Sequence, residues 1–376
     1  MKNLIQKTIK PFLASAVLLA GMISCEQNPG IEQPSSILPD KFGIDIPSSI
    51  SNNANISGRI SNGKSSAEDV LQGDDIYQHL ETFIYIGESA ADIVENIIAG
   101  IRQHGIDKNT ILTYQSDDDG RAKTLVVVEG DTYEGVNYEF SLTITDTDSE
   151  GNQDGGYAMQ IFWDRSPIKG VAIIKPANLD FVHSADAGEG VYKIEYNSES
   201  DLGYDAHMIV SLASLTLEQP SENPYSMRTL KMFVGKSGDV IDVLGNSNHP
   251  NAKFFTDNTG FNWTFVAAGY ESKDLGVAEV GLPPSDLDET SRSVLLGTYS
   301  IRNVFTEQIN SVFPGINQDL IDLYLMHTGA PGYFTDEGFI AGGTPPSGLW
   351  DDLVIRVNEL TPYNPSEISN LKIDFK

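Results

Sequence analysis

The chain has 376 residues, with 53 Asp or Glu against 24 Lys or Arg, and its formal net charge is −29 at pH 7. This charge argues against a nucleic-acid partner, because such binding depends on basic side chains that neutralise phosphates. The single cysteine excludes an internal disulfide, so the folded part must be held by its own apolar core. The length is sufficient for one large domain or two smaller ones.

The first 24 residues have the pattern of an export signal. They contain three lysines and no acidic residue. An almost wholly apolar run, Phe12 to Ile23, follows the lysines and is too short to span a bilayer. Removal of residues 1–24 would leave 21 basic and 53 acidic residues, a formal charge of −32. The three lysines are Lys2, Lys7 and Lys10.

The single cysteine, Cys25, follows this run directly, with the small residue Ser24 before it. The stretch resembles the lipobox of bacterial lipoproteins, although Met22 and Ile23 replace the usual leucine and small residue. The resemblance implies cleavage before Cys25 and acylation of its sulfur and amino group by fatty acids such as palmitate. More than one acyl chain gives stable anchoring, so we expect the protein in the cell envelope, at the outer membrane or cell surface rather than the inner membrane. An ordinary signal peptide with a chance cysteine is the alternative.

Four regions follow from the distribution of apolar residues, prolines and glycines. We predict a lipoprotein signal peptide at 1–24, the lipidated cysteine with a flexible tether at 25–66, a domain of helix and antiparallel sheet at 67–281, and a mixed helical region or cap at 282–376. The tether contains four prolines and an Asn/Ser-rich tract without a sustained apolar period. About 40 flexible residues would have a root-mean-square reach of roughly 35 Å.

A long amphipathic helix is predicted from Asp74 to His104. Apolar residues recur there at steps of three and four, which is the period of a helix with one buried face. Arg102 and His104 suit the negative end of the helix dipole, and Gly105 is a natural residue after the last turn. The apolar positions are Leu80, Phe83, Ile84, Ala91, Val94, Ile97, Ile98 and Ile101.

Strand patterns dominate from residue 110 to residue 281. The clearest is Tyr138–Thr145, in which apolar and polar residues alternate strictly, as expected for a strand with one buried face. Turn sequences such as Asp119-Gly120 and Ser237-Gly238 join neighbouring strands. The other predicted strands are 110–116, 121–129, 157–163, 169–175, 190–197, 206–217, 227–235, 239–245, 261–269 and 275–280.

The chain changes character after Pro283-Pro284. Helices are predicted at 285–313 and 317–326, and a Gly/Pro-rich loop at 329–348. Together these patterns predict an α+β, β-rich fold, in which a long N-terminal amphipathic helix covers an antiparallel meander sheet and a mixed helical region follows.

One loop has the residue types of a calcium site. Asp146, Asp148, Glu150 and Asp154 place oxygen ligands at positions 1, 3, 5 and 9, with Gly151 at position 6. The spacing resembles the first part of EF-hand-like loops, in which alternate side chains point at the ion. Position 12 lacks the usual bidentate glutamate, and predicted strands rather than helices flank the loop. Calcium is therefore the one candidate cofactor, and a solvated acidic loop is the alternative.

No catalytic constellation is evident in the sequence. The six histidines do not have zinc-ligand spacing, and the chain lacks a G-x-S-x-G elbow and a phosphate-binding loop. Trp163, Trp263 and Tyr270 are candidates for a sugar-stacking platform, but their period-two setting is also that of core residues. Asp351 and Asp352 are one acidic pair of the kind that glycosidases use.

Three functions remain open. The first is a membrane-anchored binding or structural protein without catalysis, whose partners are the lipid bilayer, through acylated Cys25, and an unidentified protein or ligand. The second is a carrier of an apolar ligand, because a curved sheet around a long helix is similar in outline to LolA-like lipoprotein carriers. The third is a protein that binds or cleaves surface glycans. An apolar cavity between sheet and helix would favour the carrier, and an exposed aromatic platform beside paired carboxylates would favour the glycan function.

Overall fold

The computed structural model of the protein describes residues 37–52, 73–103, 109–182, 188–221 and 223–376. The predicted signal peptide, Cys25 with its predicted lipidation, and the predicted helix end at His104 lie outside the described residues.

Thirteen strands of the described chain form one antiparallel sheet, in which every strand pairs with the next one in sequence. This sheet confirms the predicted α+β, β-rich class. All eleven strands predicted between residues 110 and 281 are present, with ends that shift by up to four residues. The strands are β1 (Thr110–Gln115), β2 (Ala122–Tyr133), β3 (Val136–Asp146), β4 (Tyr157–Arg165), β5 (Ile168–Ile174), β6 (Val191–Asn197), β7 (Ala206–Ala213), β8 (Thr229–Ser237), β9 (Val240–His249), β10 (Phe261–Tyr270), β11 (Leu275–Gly281), β12 (Gly332–Thr335) and β13 (Gly338–Gly342).

Six α-helices lie within the described residues. The helix predicted at 285–313 begins only at Ile301, after a π-helical turn at Ser293–Thr298. The helix predicted at 317–326 is present as a shorter helix. The helices are α1 (Gly73–Gln103), α2 (Pro176–Leu179), α3 (Ile301–Val312), α4 (Gln318–Tyr324), α5 (Asp351–Glu359) and α6 (Pro365–Ser369).

Alternating side chains explain how β2 and β3 bury one face over part of their length. In β3, Leu142 and Ile144 are buried in the main core, while Thr143 and Thr145 are partly exposed. β10 differs because all ten of its residues are buried. A strand that is buried on both faces requires a covering layer on each side of the sheet.

α1 supplies the layer on one face. It contacts β6, β7 and β8 in the middle of the sheet and also β11 and β13 near its end. Apolar residues of one helix stripe, such as Leu80, Phe83 and Val94, are buried in the main core. The interface is close-packed, since a Cβ atom added to Gly87 would lie 2.5 Å from Cε of Met232 on β8.

Residues 37–52, which we call the N-terminal strap, pack against the same core. They belong to the tether predicted at 25–66, and the structure corrects that prediction for the strap. Trp163 Nε1 on β4 donates a hydrogen bond to the Ile37 carbonyl oxygen (2.8 Å). The physical reason for the packing is the burial of apolar surface, because each large apolar side chain removed from water contributes about 1.5–3 kcal/mol. The buried apolar residues of the strap are Ile37, Leu38, Phe42, Ile44, Ile46 and Ile50.

The C-terminal region covers the other face of the sheet. α5 places Leu353 and Val357 in a cluster with Val266 of β10. Near the end of the chain, Ile373 and Phe375 pack on a second outer cluster, formed by side chains of β2 to β5. The α5 layer explains why the outward-facing residues of β10 are buried.

Two strands occupy the stretch 329–348, which the sequence predicts as a loop. β12 pairs with β11, and β13 pairs with β12. Tyr333 and Phe334 of β12 are buried in different clusters, one on each face of the sheet. Glycine allows a close approach here, because a Cβ atom on Gly332 would lie 2.7 Å from the Tyr77 ring of α1. The region 282–376 therefore extends the sheet as well as covering it.

Candidate functional site

The predicted calcium loop begins where β3 ends, at Asp146. The Asp146 side chain is fully buried, and its Oδ2 atom lies 2.9 Å from Arg121 Nη2 and 3.6 Å from Lys123 Nζ. The Ser149 hydroxyl also donates a hydrogen bond to Oδ2 (2.9 Å). Two basic side chains and a hydroxyl thus surround the carboxylate that the calcium hypothesis assigns to position 1.

Asp154, at the other end of the loop, has a similar environment. Lys175 Nζ lies 2.8 Å from Asp154 Oδ2, and Asn178 Nδ2 donates to the same oxygen (3.0 Å). Burial alone would raise the pKa of the Asp154 carboxyl, but the hydrogen bonds from Lys175, Gly156 and Asn178 outweigh burial and hold this pKa below its ordinary value. Asp154 is therefore an ionised carboxylate that already has its counter-ion.

The remaining two predicted ligands are exposed. Asp148 lies 3.8 Å from Arg121 Nε, and Glu150 is exposed at the tip of the loop. Within the described residues, no three His, Cys, Asp or Glu side chains are grouped so that they could hold a metal ion. The structure thus brings Asp146 and Asp148 to one basic side chain and Asp154 to another, and calcium binding by the four residues stays a prediction.

A buried lysine, which sequence reasoning missed, is the centre of this ion network. Lys123 on β2 is only 1% exposed, and its Nζ atom lies 2.8 Å from Asp119 Oδ2 and donates to the Asn178 carbonyl oxygen (2.8 Å). Burial alone would raise the pKa of Asp119, but hydrogen bonds from Lys123 and from main-chain N–H groups hold it below its ordinary value. The sequence does contain a signal for this pair, because Lys123 shares its strand face with the apolar residues Leu125 and Val127. A lysine on a buried strand face requires a buried acidic partner.

A serine and a histidine form a hydrogen-bonded pair inside the main core. His249 Nε2 lies 2.8 Å from Ser247 Oγ, and His249 Nδ1 lies 2.8 Å from the Tyr225 carbonyl oxygen. Both side chains are completely buried, and the rings of Phe83 and Trp263 pack on the imidazole. Burial lowers the pKa of His249 to about 3. The imidazole is a neutral core group at physiological pH, and a substrate has no access to the serine.

The aromatic residues proposed for sugar stacking are also core residues. Trp163 and Trp263 are 0% exposed and Tyr270 is 8% exposed. Asp351 and Asp352 are exposed at the start of α5, but the neighbouring ring of Trp350 is buried. These residues therefore offer no exposed aromatic platform beside a carboxylate pair.

An exposed apolar surface lies on α3, α4 and the turn between them. Within α4, Leu320, Leu323 and Tyr324 share the outer face, while Ile321 turns toward the core. Arg302 on α3 joins the two helices, because its guanidinium donates to the Leu325 carbonyl oxygen (3.2 Å). We call this the hairpin surface; its side chains are 38–65% exposed and belong to Val312, Phe313, Leu320, Leu323, Tyr324 and Met326.

Comparison of the chain with models of protein families, with curated proteins and with solved structures gives no match. Among the helices of the described residues, none is both long and apolar enough to cross a membrane. Function must therefore be inferred from the residues of this chain.

Proposed function

We propose that the protein is a bacterial lipoprotein, anchored to the cell envelope by acylated Cys25, whose folded part is a non-catalytic binding protein. The observation that carries the binding function is the hairpin surface, where six large apolar side chains remain in contact with water. Exposed apolar patches of this kind mark sites for a partner, because covering them is favourable. The anchor rests on the lipobox-like residues that precede Cys25.

The interactions of the acidic-loop aspartates and of the Ser247–His249 pair support a function without catalysis. Asp146 and Asp154 bond to basic side chains, so neither is a free general base. The Ser247–His249 pair is enclosed by the core and lacks a carboxylate on the second imidazole nitrogen. A nucleophile needs an accessible oxygen and a base that can take up its proton near neutral pH.

The strap sets the distance between the proposed anchor and the folded body. In this proposal α1 covers one face of the sheet and holds the strap. Twelve residues lead from Cys25 to Ile37, and a chain of that length spans at most about 40 Å. The body would therefore stay within that distance of the membrane, at the outer membrane or the cell surface.

The partner that fits the hairpin surface is a protein segment with both apolar and basic side chains. Glu307, Asp319 and Asp322 lie exposed on the two helices that carry the surface, and Arg302 is paired with Asp322. The mature chain would carry a formal charge of −32. Opposite charge around an apolar patch speeds association and selects the partner. An anionic lipid surface would be repelled, which makes a protein the proposed occupant.

A pair of synthetic peptides tests this partner chemistry. The first is an amphipathic helix of about 18 leucine and lysine residues, and the second has glutamate in place of every lysine. Fluorescence anisotropy measures the binding of each to the mature protein. We expect the lysine peptide to bind and the glutamate peptide not to bind, with an affinity that falls as salt is added.

Matched variants distinguish binding of the peptide at the hairpin surface from non-specific attraction by the negative charge of the protein. Leu320→Ser with Leu323→Ser should weaken binding of the lysine peptide at least tenfold, because two apolar contacts are lost. Leu349→Ser with Ile355→Ser removes two equally exposed apolar side chains elsewhere (66% and 60%) and should leave the affinity unchanged. Equal affinity of the hairpin variant and the parent protein for the lysine peptide would refute the proposed binding site.

The two other functions find less support at the residues that would carry them. A carrier needs space for an apolar ligand between helix and sheet, yet helix and sheet pack closely at Gly87, where an added Cβ atom would lie 2.5 Å from Met232 Cε. A glycan-binding surface needs exposed rings, and Trp163, Trp263 and Tyr270 are buried. A calcium site at the β3–β4 loop remains a separate proposal, in which the ion would replace basic side chains as the partner of the carboxylates.

A further inference from the structure

The N-terminal strap is fastened to α1 at two glutamates that are seven residues apart. The Glu95 carboxylate accepts a hydrogen bond from Phe42 N (2.7 Å), and the Glu88 carboxylate accepts one from Ile46 N (2.7 Å). Seven helical residues span about 10.5 Å, and four extended strap residues span roughly 13 Å. The spacing of the glutamates along the helix therefore suits the spacing of the strap N–H groups.

Glu88 is the stronger of the two fastenings, since its second oxygen is hydrogen-bonded to the Ser51 hydroxyl. The carboxyl is partly buried and, among the described residues, forms no ion pair. Lys41, the base on this part of the strap, is paired with Asp45 at 3.1 Å. The titratable and charged groups around this seam are Asp40, Lys41 and Asp45 on the strap, Asp92, Glu95 and Arg102 on α1, and Tyr196 and Lys236 on the sheet; Arg102 is paired with Asp40 at 2.8 Å.

The protonation state of Glu88 is sensitive to this environment. Burial raises the pKa of Glu88 to about 7, the charges of Asp92 and Asp45 act in the same direction, and hydrogen bonds from Ser51 and Ile46 offset only part of the rise. A protonated Glu88 keeps both bonds, because one oxygen accepts from Ile46 N and the hydroxyl donates to Ser51. An ionised Glu88 is a charge without a counter-ion beside other carboxylates.

We propose that Glu88 is a pH-sensitive fastener of the N-terminal strap, which holds the strap most tightly when it is protonated and loosens it when it ionises. The direction of this pH dependence follows from the linkage between proton binding by Glu88 and closure of the strap. Glu88 binds a proton more strongly with the strap closed than with the strap open, so the closed state loses stability as the pH rises from about 4.5 to about 7 and changes little above that range.

The consequence for the protein on the membrane depends on the proposed acylation of Cys25, whereas the fastener itself does not. With the strap closed, twelve residues lead from Cys25 to Ile37; with the strap open, 48 residues lead from Cys25 to Gly73. The greatest possible reach grows from about 40 Å to about 160 Å. A rise from acidic to neutral pH would thus let the body move further from its anchor.

Thiol labelling measures the opening of the strap directly. The mature chain with Cys25→Ser has no other cysteine, so Ile44→Cys introduces one thiol at a buried strap position. Its labelling rate, divided at each pH by the rate of the same protein in denaturant, gives the fraction of open strap. We expect this fraction to rise about tenfold between pH 6 and pH 8, as a carboxyl with a pKa near 7 closed and 4.5 open requires.

Glu88→Gln is the matched control, because glutamine can accept from Ile46 N and donate to Ser51 but cannot ionise. The labelled fraction of this variant should rise at most about twofold between pH 6 and pH 8, which is the part that Asp92, with a pKa raised by burial to about 6, can contribute. Leu38→Cys repeats the experiment at a second buried position if Ile44→Cys is too destabilising. A flat profile in the parent, or the same rise in both proteins, would overturn the proposal. Because no acyl chain is present in this assay, its outcome is independent of the anchor.

Discussion

Removing one partner of the buried Lys123–Asp119 pair should destabilise the protein far more than removing a partner of an exposed pair. Lys123 Nζ and Asp119 Oδ2 are 2.8 Å apart, and the two side chains are 1% and 0% exposed. Asp119→Ala leaves a buried ammonium group with the Asn178 carbonyl oxygen at 2.8 Å and Asp146 at 3.6 Å. Asp146 is shared with Arg121, so it compensates only in part.

The expected magnitude follows from the cost of an uncompensated buried charge. Breaking a buried ion pair by removing one partner typically costs 3–5 kcal/mol, and we expect about 3 kcal/mol here because Asp146 remains nearby. Lys123→Met should cost a similar amount, since it leaves the Asp119 carboxylate buried. The double variant should cost about 2 kcal/mol less than the sum of the single variants, because neither charge is then left alone.

Urea unfolding of the four proteins, followed by circular dichroism, gives the coupling free energy. The matched control is Arg165–Glu139, whose side chains are 47% and 48% exposed; the same cycle there should give a coupling of about 0.5 kcal/mol. A coupling free energy for Lys123–Asp119 no larger than that of the exposed pair would refute the reasoning.

Three further predictions concern the helix, the strap and the loop. Gly87→Ala should change the free energy of unfolding by less than about 1 kcal/mol, because the better helix propensity of alanine is offset by displacement of the flexible Met232 side chain, whose Cε atom would lie 2.5 Å from the added Cβ; a loss of more than about 3 kcal/mol in thermal unfolding would contradict this reasoning. Phe42→Ala should cost about 3–5 kcal/mol in urea unfolding, and a cost near zero would mean that the strap adds nothing to the core. If calcium binds at the β3–β4 loop, calorimetric titration should show one site whose affinity falls at least tenfold in Asp148→Asn and in Glu150→Gln; no heat in the parent protein would exclude it.

The sequence predicts the eleven strands between residues 110 and 281 because each has a local signature. In β3, for example, apolar and polar residues alternate, and tight glycine-containing turns such as Ser237-Gly238 separate the strands. Such patterns depend on neighbours in sequence, which is why strands can be located without knowledge of the fold. The packing of α1 and the C-terminal region on the sheet depends on contacts between distant elements, and no local pattern encodes it.

The strap shows how a local pattern can be misleading. Pro39, Pro47 and the following Ser/Asn tract are typical of a linker and predict a flexible tether. The same stretch also contains Phe42, Ile44 and Ile46, which recur with a period of two. That period is the signature of an extended segment with one buried face. Its partners, Glu88 and Glu95, are more than 40 residues away in sequence, so the fastening itself could not be predicted.

The acidic loop shows why a ligand site cannot be predicted from the spacing of residues within one segment alone. Asp146 to Asp154 have the spacing of calcium ligands, but Arg121, just before β2, pairs with Asp146, and Lys175, after β5, pairs with Asp154. A residue-type pattern within one segment carries no information about basic side chains that tertiary structure brings to it. The hairpin surface was missed for a related reason, since a helical stripe of apolar residues predicts burial and only the folded structure shows which stripe is left uncovered.

The central claim, that the protein is held on a membrane through Cys25, is tested most directly by mass spectrometry of the N-terminal peptide together with detergent-phase partitioning. The account predicts that the mature chain begins at Cys25, carries acyl chains on its sulfur and amino group, and partitions into the detergent phase. Cys25→Ala should give an unprocessed or soluble protein. A Cys25→Ala variant that still partitions into detergent at its mature size, or a mature chain with a free Cys25 thiol, would contradict the claim.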